Sequence, residues 1–202
     1  MAAWSGETVI EASVVRRPGR RGGIAYAEEL PTDRGESGAL LHRGRRPAPH
    51  GGRGRPLFAG VHPNRQRRAM KMLLCHLCGQ PASHTPEHGV LWLLGGGPGG
   101  REPGWPEGAV TTYPPVCLPC ATQAIRQCPH LFARGHTAIR VRYPRSYGYH
   151  GRLYTPDLTR PGSPTLLVVE ETVDVPFDDP RLPWLLAAQL VVRLTGCTPV
   201  EL

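Results

Sequence analysis

Lysine is all but missing from this 202-residue chain. Lys71 is the only one, so the excess of 24 Lys and Arg over 16 Asp and Glu is carried by arginine. A bias of that size usually follows GC-rich coding, so it says little about partners. Long apolar runs are missing too. The longest, near Trp184 to Leu194, is about half of the roughly 20 residues needed to span a bilayer, which argues against a membrane-crossing helix. The first ten residues have neither the basic start nor the apolar stretch of a secretory signal, so a cytoplasmic protein is expected. Catalytic signatures are equally scarce. Gly95 to Gly100 lacks the Lys-Ser/Thr that a phosphate-cradling loop requires. No nucleophilic serine elbow and no well-placed carboxylate pair can be found, so a non-enzymatic role is expected.

Glycine and proline, by contrast, are abundant: 48 residues together, just under a quarter of the chain. Charge is unevenly spread along the sequence. Residues 1–70 hold 13 Arg against 6 Asp and Glu, whereas residues 71–202 hold 11 Lys and Arg against 10. Residues 11–69 are poor in apolar side chains and carry runs such as Arg16-Arg17-Pro18-Gly19 and Arg43-Gly44-Arg45-Arg46-Pro47. Such a segment buries too little apolar surface to offset an ordering cost of about 1–2 kcal/mol per residue. The expectation is a mostly disordered Arg/Gly/Pro-rich tail over 1–69, with a basic helix near Asn64 to Arg68. Met70 and Met72 offer alternative starts just beyond it. An α+β domain is expected over 70–202, its core at about 73–130.

Within that domain, Leu73 to Leu77 reads as a short strand entering a turn at Cys78-Gly79. Val90 to Leu94 and Ala109 to Tyr113 read as two strands. Pro119 suits a helix first turn, and Ala121, Ala124, Ile125 and Cys128 follow at helical spacing until Pro129. Ala138 to Tyr143 alternates, with Ile139, Val141 and Tyr143 on one side and Arg140 and Arg142 on the other. Leu166 to Val169 and Thr172 to Val175 read as one strand or a bent pair. A last helix is expected over Pro183 to Leu194, apolar nearly all round and therefore well buried.

The strongest signal is two Cys-x-x-Cys pairs, Cys75/Cys78 and Cys117/Cys120, with 38 residues between them. Zinc takes four ligands in a tetrahedron, and thiolates at about 2.3 Å supply them well. Gly79 tolerates the positive φ a tight knuckle needs, and a helix start supplies N–H groups and partial positive charge that stabilise thiolates. One structural zinc is expected, against the alternatives of unconnected buried thiols, disulfides or iron–sulfur ligation. Cys128 and Cys197 are expected to pack rather than coordinate, and His76 to face solvent.

The order of knuckle, hairpin and second pair at a helix start resembles the treble-clef zinc fold. With His84-Thr85-Pro86-Glu87-His88 between the pairs, it resembles the zinc-stabilised HNH endonucleases over about residues 73–130. That resemblance would make His88 the general base, with His84 or Glu87 helping to hold a catalytic metal. The chain departs from the family pattern: it has no Asp-His pair, no asparagine before the second cysteine pair and no histidine on the helix after Cys120. The run from Cys75 through Arg142 also resembles small cysteine-pair proteins of actinobacteria, a likeness that implies no activity.

Two binding roles are therefore expected ahead of catalysis. In the first, a zinc-stabilised module binds nucleic acid or acts as a regulator. It would use the arginine tail together with Arg140, Arg142, Arg145 and Arg152, interleaved with Tyr147, Tyr149 and Tyr154, since guanidiniums neutralise phosphates while tyrosines stack on bases. In the second, the domain is an adaptor that docks a protein through its apolar last helix or the Trp92 and Trp105 region. Salt dependence separates the two.

Overall fold

The computed structural model describes residues 1–19, 22–48, 52–96, 103–157, 159 and 165–202. The glycine-rich stretch after Gly96 and the Arg20-Arg21 pair lie outside the described residues. The first half of the chain contains β1 (Ala2–Trp4), β2 (Glu7–Val9), β3 (Val14–Arg16), β4 (Ile24–Tyr26), β5 (Leu40–Leu41), β6 (Arg45–Pro47) and β7 (Pro56–Val61), then α1 (Pro63–Lys71), β8 (His84–Thr85) and β9 (Gly89–Gly95). The second half contains β10 (Val110–Thr111), α2 (Leu118–Gln127), α3 (Pro129–Arg134), β11 (His136–Pro156), β12 (Leu166–Pro176) and β13 (Leu185–Pro199). The class is α+β. Among the described residues, no helix is long and apolar enough to cross a membrane.

The chain divides into two compact units, and neither follows the expected boundary at residue 70. One comprises Met1, Arg65–Tyr147 and Val191–Leu202; the other comprises Ala2–Asn64 and Gly148–Leu190. The long strands β11 and β13 contribute residues to both, which is why a cut made along the sequence cannot separate them.

In the first unit the strand order is β10-β13-β11-β9-β8. β8 and β9 form an antiparallel hairpin, pairing His84 with Val90, and β9 runs antiparallel to β11 from His136↔Gly95 to Val141↔Val90. The strand expected over Ala109 to Tyr113 is the two-residue β10, which pairs with β13, Val110↔Arg193 and Thr111↔Val192. Val90, Leu91, Trp92 and Leu94 are all buried. They form the near-continuous apolar run of a strand covered on both faces. Trp92 donates its indole N–H to the Tyr113 carbonyl at 2.9 Å, and the fully buried Gln66 of α1 donates to the Thr112 carbonyl at 2.7 Å. Both bonds satisfy polar atoms that would be costly to leave unpaired inside the core.

The expected last helix over 183–194 is instead a 3-10 turn, Leu182–Trp184, followed by β13. Burial is as expected, with Leu185, Leu186, Ala187, Leu190, Val191, Val192 and Leu194 all buried. The element type is not. An inner strand with apolar cover on both sides has no two-residue period to read, so its run of apolar residues is indistinguishable from a buried helix by pattern alone.

The second unit holds most of the segment expected to be disordered. It is built from three small antiparallel ribbons, β1 with β7, β2 with β6 and β3 with β4. Alongside them β12 pairs with β11, and β5 runs parallel to β13 at Leu40↔Leu186. Its core gathers Ile24, Tyr26, Leu40 and Leu186. Arginine supports this unit rather than solvating it. Arg43 lies 4.4 Å from the Tyr26 ring centre and hydrogen-bonds both carboxylate oxygens of Asp33 at 3.0 and 2.7 Å. Arg34 pairs with Glu29 and donates to the Ile24 carbonyl, and Arg53 sits 4.0 Å over Trp4. A planar guanidinium that stacks and pairs at once replaces part of the missing apolar area. A ledger that counts arginine only as solvated charge misses this.

Asp33 is 5% exposed and also accepts the Leu30 N–H at 2.7 Å. The Arg43 hydrogen bond is the largest influence holding its carboxyl below the ordinary value. A depressed carboxyl contributes stability above its unfolded value, near 3.9, and loses it as pH falls through the folded value. Asp33→Asn is therefore expected to lower stability at pH 7 by about 1 kcal/mol, allowing for solvent screening. Denaturant melts at pH 7 and pH 3 check this: the gap between variant and parent should shrink at the lower pH.

Candidate metal centre

The first cysteine pair lies in a knuckle. Leu74 bridges Pro81, Cys75 N–H donates to the Gln80 carbonyl at 2.7 Å, and Gly79 N–H donates back to the Cys75 carbonyl at 3.0 Å. Gly79 has φ +76°, the left-handed conformation that closes the turn. The second pair begins α2. Cys117 occupies the extended position before its first turn, Pro119 lies within that turn, and Cys120 follows.

The segment leading into Cys117 ties the two halves together. His76 N–H donates to the Pro115 carbonyl, Ser83 N–H to that of Val116, and Val116 N–H to that of Leu91. Cys75, Leu91, Val116 and Ala121 form one buried cluster, against which Cys117, Cys120, Leu93 and Val200 pack. The hydrophobic core of this unit thus reaches into the thiol site.

The four sulfurs lie within 4.8 Å of one another, and Cys78 Sγ is 3.8 Å from Cys117 Sγ. Four thiolates at about 2.3 Å from one tetrahedral ion stand about 3.8 Å apart. A disulfide would need about 2.05 Å, and all six cysteines are free. An iron–sulfur cluster would spread its thiolates over two or more iron atoms, whereas this spacing suits one ion. The donor set therefore fits a single structural metal held by Cys75, Cys78, Cys117 and Cys120.

Electrostatics at the thiols are uneven. Burial pushes the Cys75 thiol up, but N–H donors from Cys117, Cys78 and Leu77 outweigh it and bring the value down to about 7. Burial raises Cys117 and Cys120 instead. Binding a cation therefore has to displace protons from those two thiols, and metal affinity must fall with pH.

The other residues near this site behave differently from one another. His76 does not face solvent. Its Nδ1 is buried without a hydrogen-bond partner, its ring meets Tyr113 edge-on at 6.1 Å, and burial and then the Met1 ammonium lower its value to about 4. Cys128 caps the junction of α2 and α3, half-buried. Burial and Glu107 push Cys197 up to about 12. Neither belongs to the thiol group.

His84 is exposed on β8, and Glu87 and His88 are exposed in the turn that follows. The His88 backbone N–H bonds Thr85 Oγ1. Among the described residues the four cysteines are the only group of three or more candidate ligands, so His84, Glu87 and His88 are not gathered into a second metal site.

The arginines expected to meet phosphate are not equivalent. Arg140 is half-buried and donates to the Ser83 carbonyl and hydroxyl, each at 3.1 Å, and to the Gly89 carbonyl at 3.3 Å. It clamps the β8–β9 hairpin to β11, which spends much of its hydrogen-bonding capacity inside the unit. Arg152 belongs to the other unit and pairs with Glu171 at 2.8 Å. Arg142 and Arg145 are exposed. Tyr149 is buried against Phe177, and Tyr154 packs on the core of the second unit. Strand alternation placed Ile139 and Val141 inward correctly, but Tyr143, expected on their side, is 53% exposed because β9, whose pairing ends at Val141, does not extend beside it. It could not show that the Ser83 carbonyl lies where the Arg140 guanidinium ends.

One metal per chain is the expected content of the purified protein. Cys75→Ser, at the buried ligand, should lose it and unfold the first unit, whereas Cys197→Ser should keep one equivalent. Metal analysis with circular dichroism checks both variants. Retention should weaken from pH 7.5 to pH 5.5 as thiols reclaim protons.

Compared with models of protein families, with curated proteins and with solved structures, the chain matches none.

Proposed function

We propose that this protein is a zinc-stabilised, non-enzymatic binding module of treble-clef type, and that its ligand is nucleic acid. Zinc is favoured because four thiolates at tetrahedral spacing suit it above the harder divalent ions. A knuckle followed by a hairpin and a second pair at a helix start supports the fold type.

The observation that carries the ligand class is the distribution of charge between the two units. The metal-bearing unit holds eleven Lys and Arg against four Asp and Glu, a balance of +7. The other holds thirteen against twelve, a balance of +1. The basic excess that the linear sequence assigns to an N-terminal tail therefore sits on the unit organised by the thiols. A folded, strongly basic surface is the electrostatic footprint expected of a phosphate-backbone binder.

A second reading has its own support. Leu77 and Leu118, one inside each cysteine pair, are exposed together with Tyr113, and Phe132 on α3 is 88% exposed. Apolar side chains so placed suit a protein partner. Salt titration of the full-length, metal-loaded protein with labelled oligonucleotides discriminates the two. Three phosphate contacts would give a log–log slope of about −2 with single strands. Absence of oligonucleotide binding at 50 mM salt, or a flat salt dependence, would remove nucleic acid as the ligand and leave the docking reading.

A further inference from the structure

Beyond Val141, the exposed stretch of β11 and the neighbouring part of β13 carry a pattern that the charge balance alone does not reveal. By the two-residue period of a strand, Tyr143, Arg145 and Tyr147 share one face of β11. Tyr143 is 53% exposed, Arg145 is exposed and Tyr147 is partly so. On the neighbouring β13, Val192 and Leu194 point into the core while Arg193 between them is exposed. Its guanidinium lies 4.3 Å from the centre of the Tyr147 ring. Arg142, also exposed, reaches to 5.9 Å from the Tyr143 ring centre.

The backbone holds the Tyr143 ring in place. Thr195 Oγ1 donates to the Tyr143 carbonyl at 2.7 Å. Gly196, at φ +66°, lies under the ring: a Cβ there would stand 3.0 Å from Arg142 Cβ and 3.3 Å from Tyr143 Cδ2. The glycine thus serves two needs at once, a left-handed turn and a close approach.

The two strands bring no carboxylate of their own to this stretch. β11 from His136 to Tyr147 and β13 from Val191 to Pro199 contain neither Asp nor Glu. Glu107, beside Gly196, is spent on the backbone N–H groups of Gly196 and Cys197 at 3.0 and 2.9 Å.

We propose that Tyr143 and Tyr147, flanked by Arg142, Arg145 and Arg193, form a stacking platform for single-stranded nucleic acid. The inference rests on the nucleic-acid reading above and narrows it to unpaired strands. A flat ring offers every base a π-face, whereas bases inside a duplex are already stacked and present only their edges. Guanidiniums spaced between rings neutralise the phosphates that link successive bases. DNA and RNA share this chemistry.

The test uses the full-length, metal-loaded chain with fluorescent oligo-dT and oligo-U 12-mers and a 12-base-pair duplex. Each of Tyr143→Leu and Tyr147→Leu is expected to weaken single-strand binding by roughly tenfold, leaving duplex binding within twofold. Tyr143→Phe, which keeps the π-face, should bind as the parent does. That variant separates loss of stacking from loss of fold. Arg145→Gln with Arg193→Gln should flatten the single-strand salt slope by about 1.4. Equal losses on dT and U would assign the site to both nucleic acids, and loss on one would assign it to that one. If the leucine variants bind single strands as the parent does while salt-dependent binding persists, the platform is wrong and the nucleic-acid reading stands. If the parent binds no oligonucleotide at 50 mM salt, both fall. A duplex preference in the parent also overturns the platform.

Discussion

Four cysteine sulfurs brought within 4.8 Å of one another are an unstable arrangement unless a cation lies among them. As thiolates they repel; as thiols they leave the buried Cys75 and the half-buried Cys117 and Cys120 with weak partners. With one tetrahedral ion the same geometry becomes a crosslink between residues 75 and 120, closing a loop that carries the β8–β9 hairpin and β10. The core cluster of Cys75, Leu91, Val116 and Ala121 is organised around that link. The free energy of metal binding is to that extent folding free energy.

The second constraint is that arginine has two different uses in the two units. In the second unit, Arg34, Arg43 and Arg53 are absorbed by carboxylates, carbonyls and aromatic rings, and twelve carboxylates nearly balance thirteen cations. In the metal-bearing unit, cations outnumber carboxylates by eleven to four, and only some are spent internally, as Arg140 is on Ser83 and Gly89. The same residue type is thus mortar in one place and surface field in the other. Composition alone cannot tell them apart.

What the sequence made legible follows from this. The cysteine pairs, Gly79 in its knuckle, the start of α2 at the second pair and the inner strand β9 depend on local chemistry, and local chemistry is written in neighbouring residues. Missed features depend on distant ones. β13 has no strand period because both its faces are covered, so its length argued wrongly for a helix. Order in residues 2–64 comes from ribbons paired across as many as 59 positions, as Ala2 is with Val61, and from guanidiniums stacked on Tyr26 and Trp4. The interleaving of the two units, which moves the basic excess onto the thiol-bearing one, comes from the paths of β11 and β13. No window along the chain contains it.

The metal and the Arg–Tyr face stand on one continuous piece of hydrogen-bonded structure. From Cys75 the buried cluster leads to Leu91 on β9. β9 pairs with β11 through Trp92↔Ile139 and Val90↔Val141, and two residues beyond Val141 stands Tyr143. Val200, which packs on the same cluster, donates its N–H to the Ala138 carbonyl and so anchors the end of β13 to β11. A metal that never touches a ligand on this face still determines whether its rings and guanidiniums are held in register. On the proposed reading, chelation should abolish strand binding by dissolving the sheet, whereas substitution of the rings should weaken it by stripping its surface. The exposed histidines of the β8 hairpin lie in the same unit and join no group of three or more candidate metal ligands among the described residues.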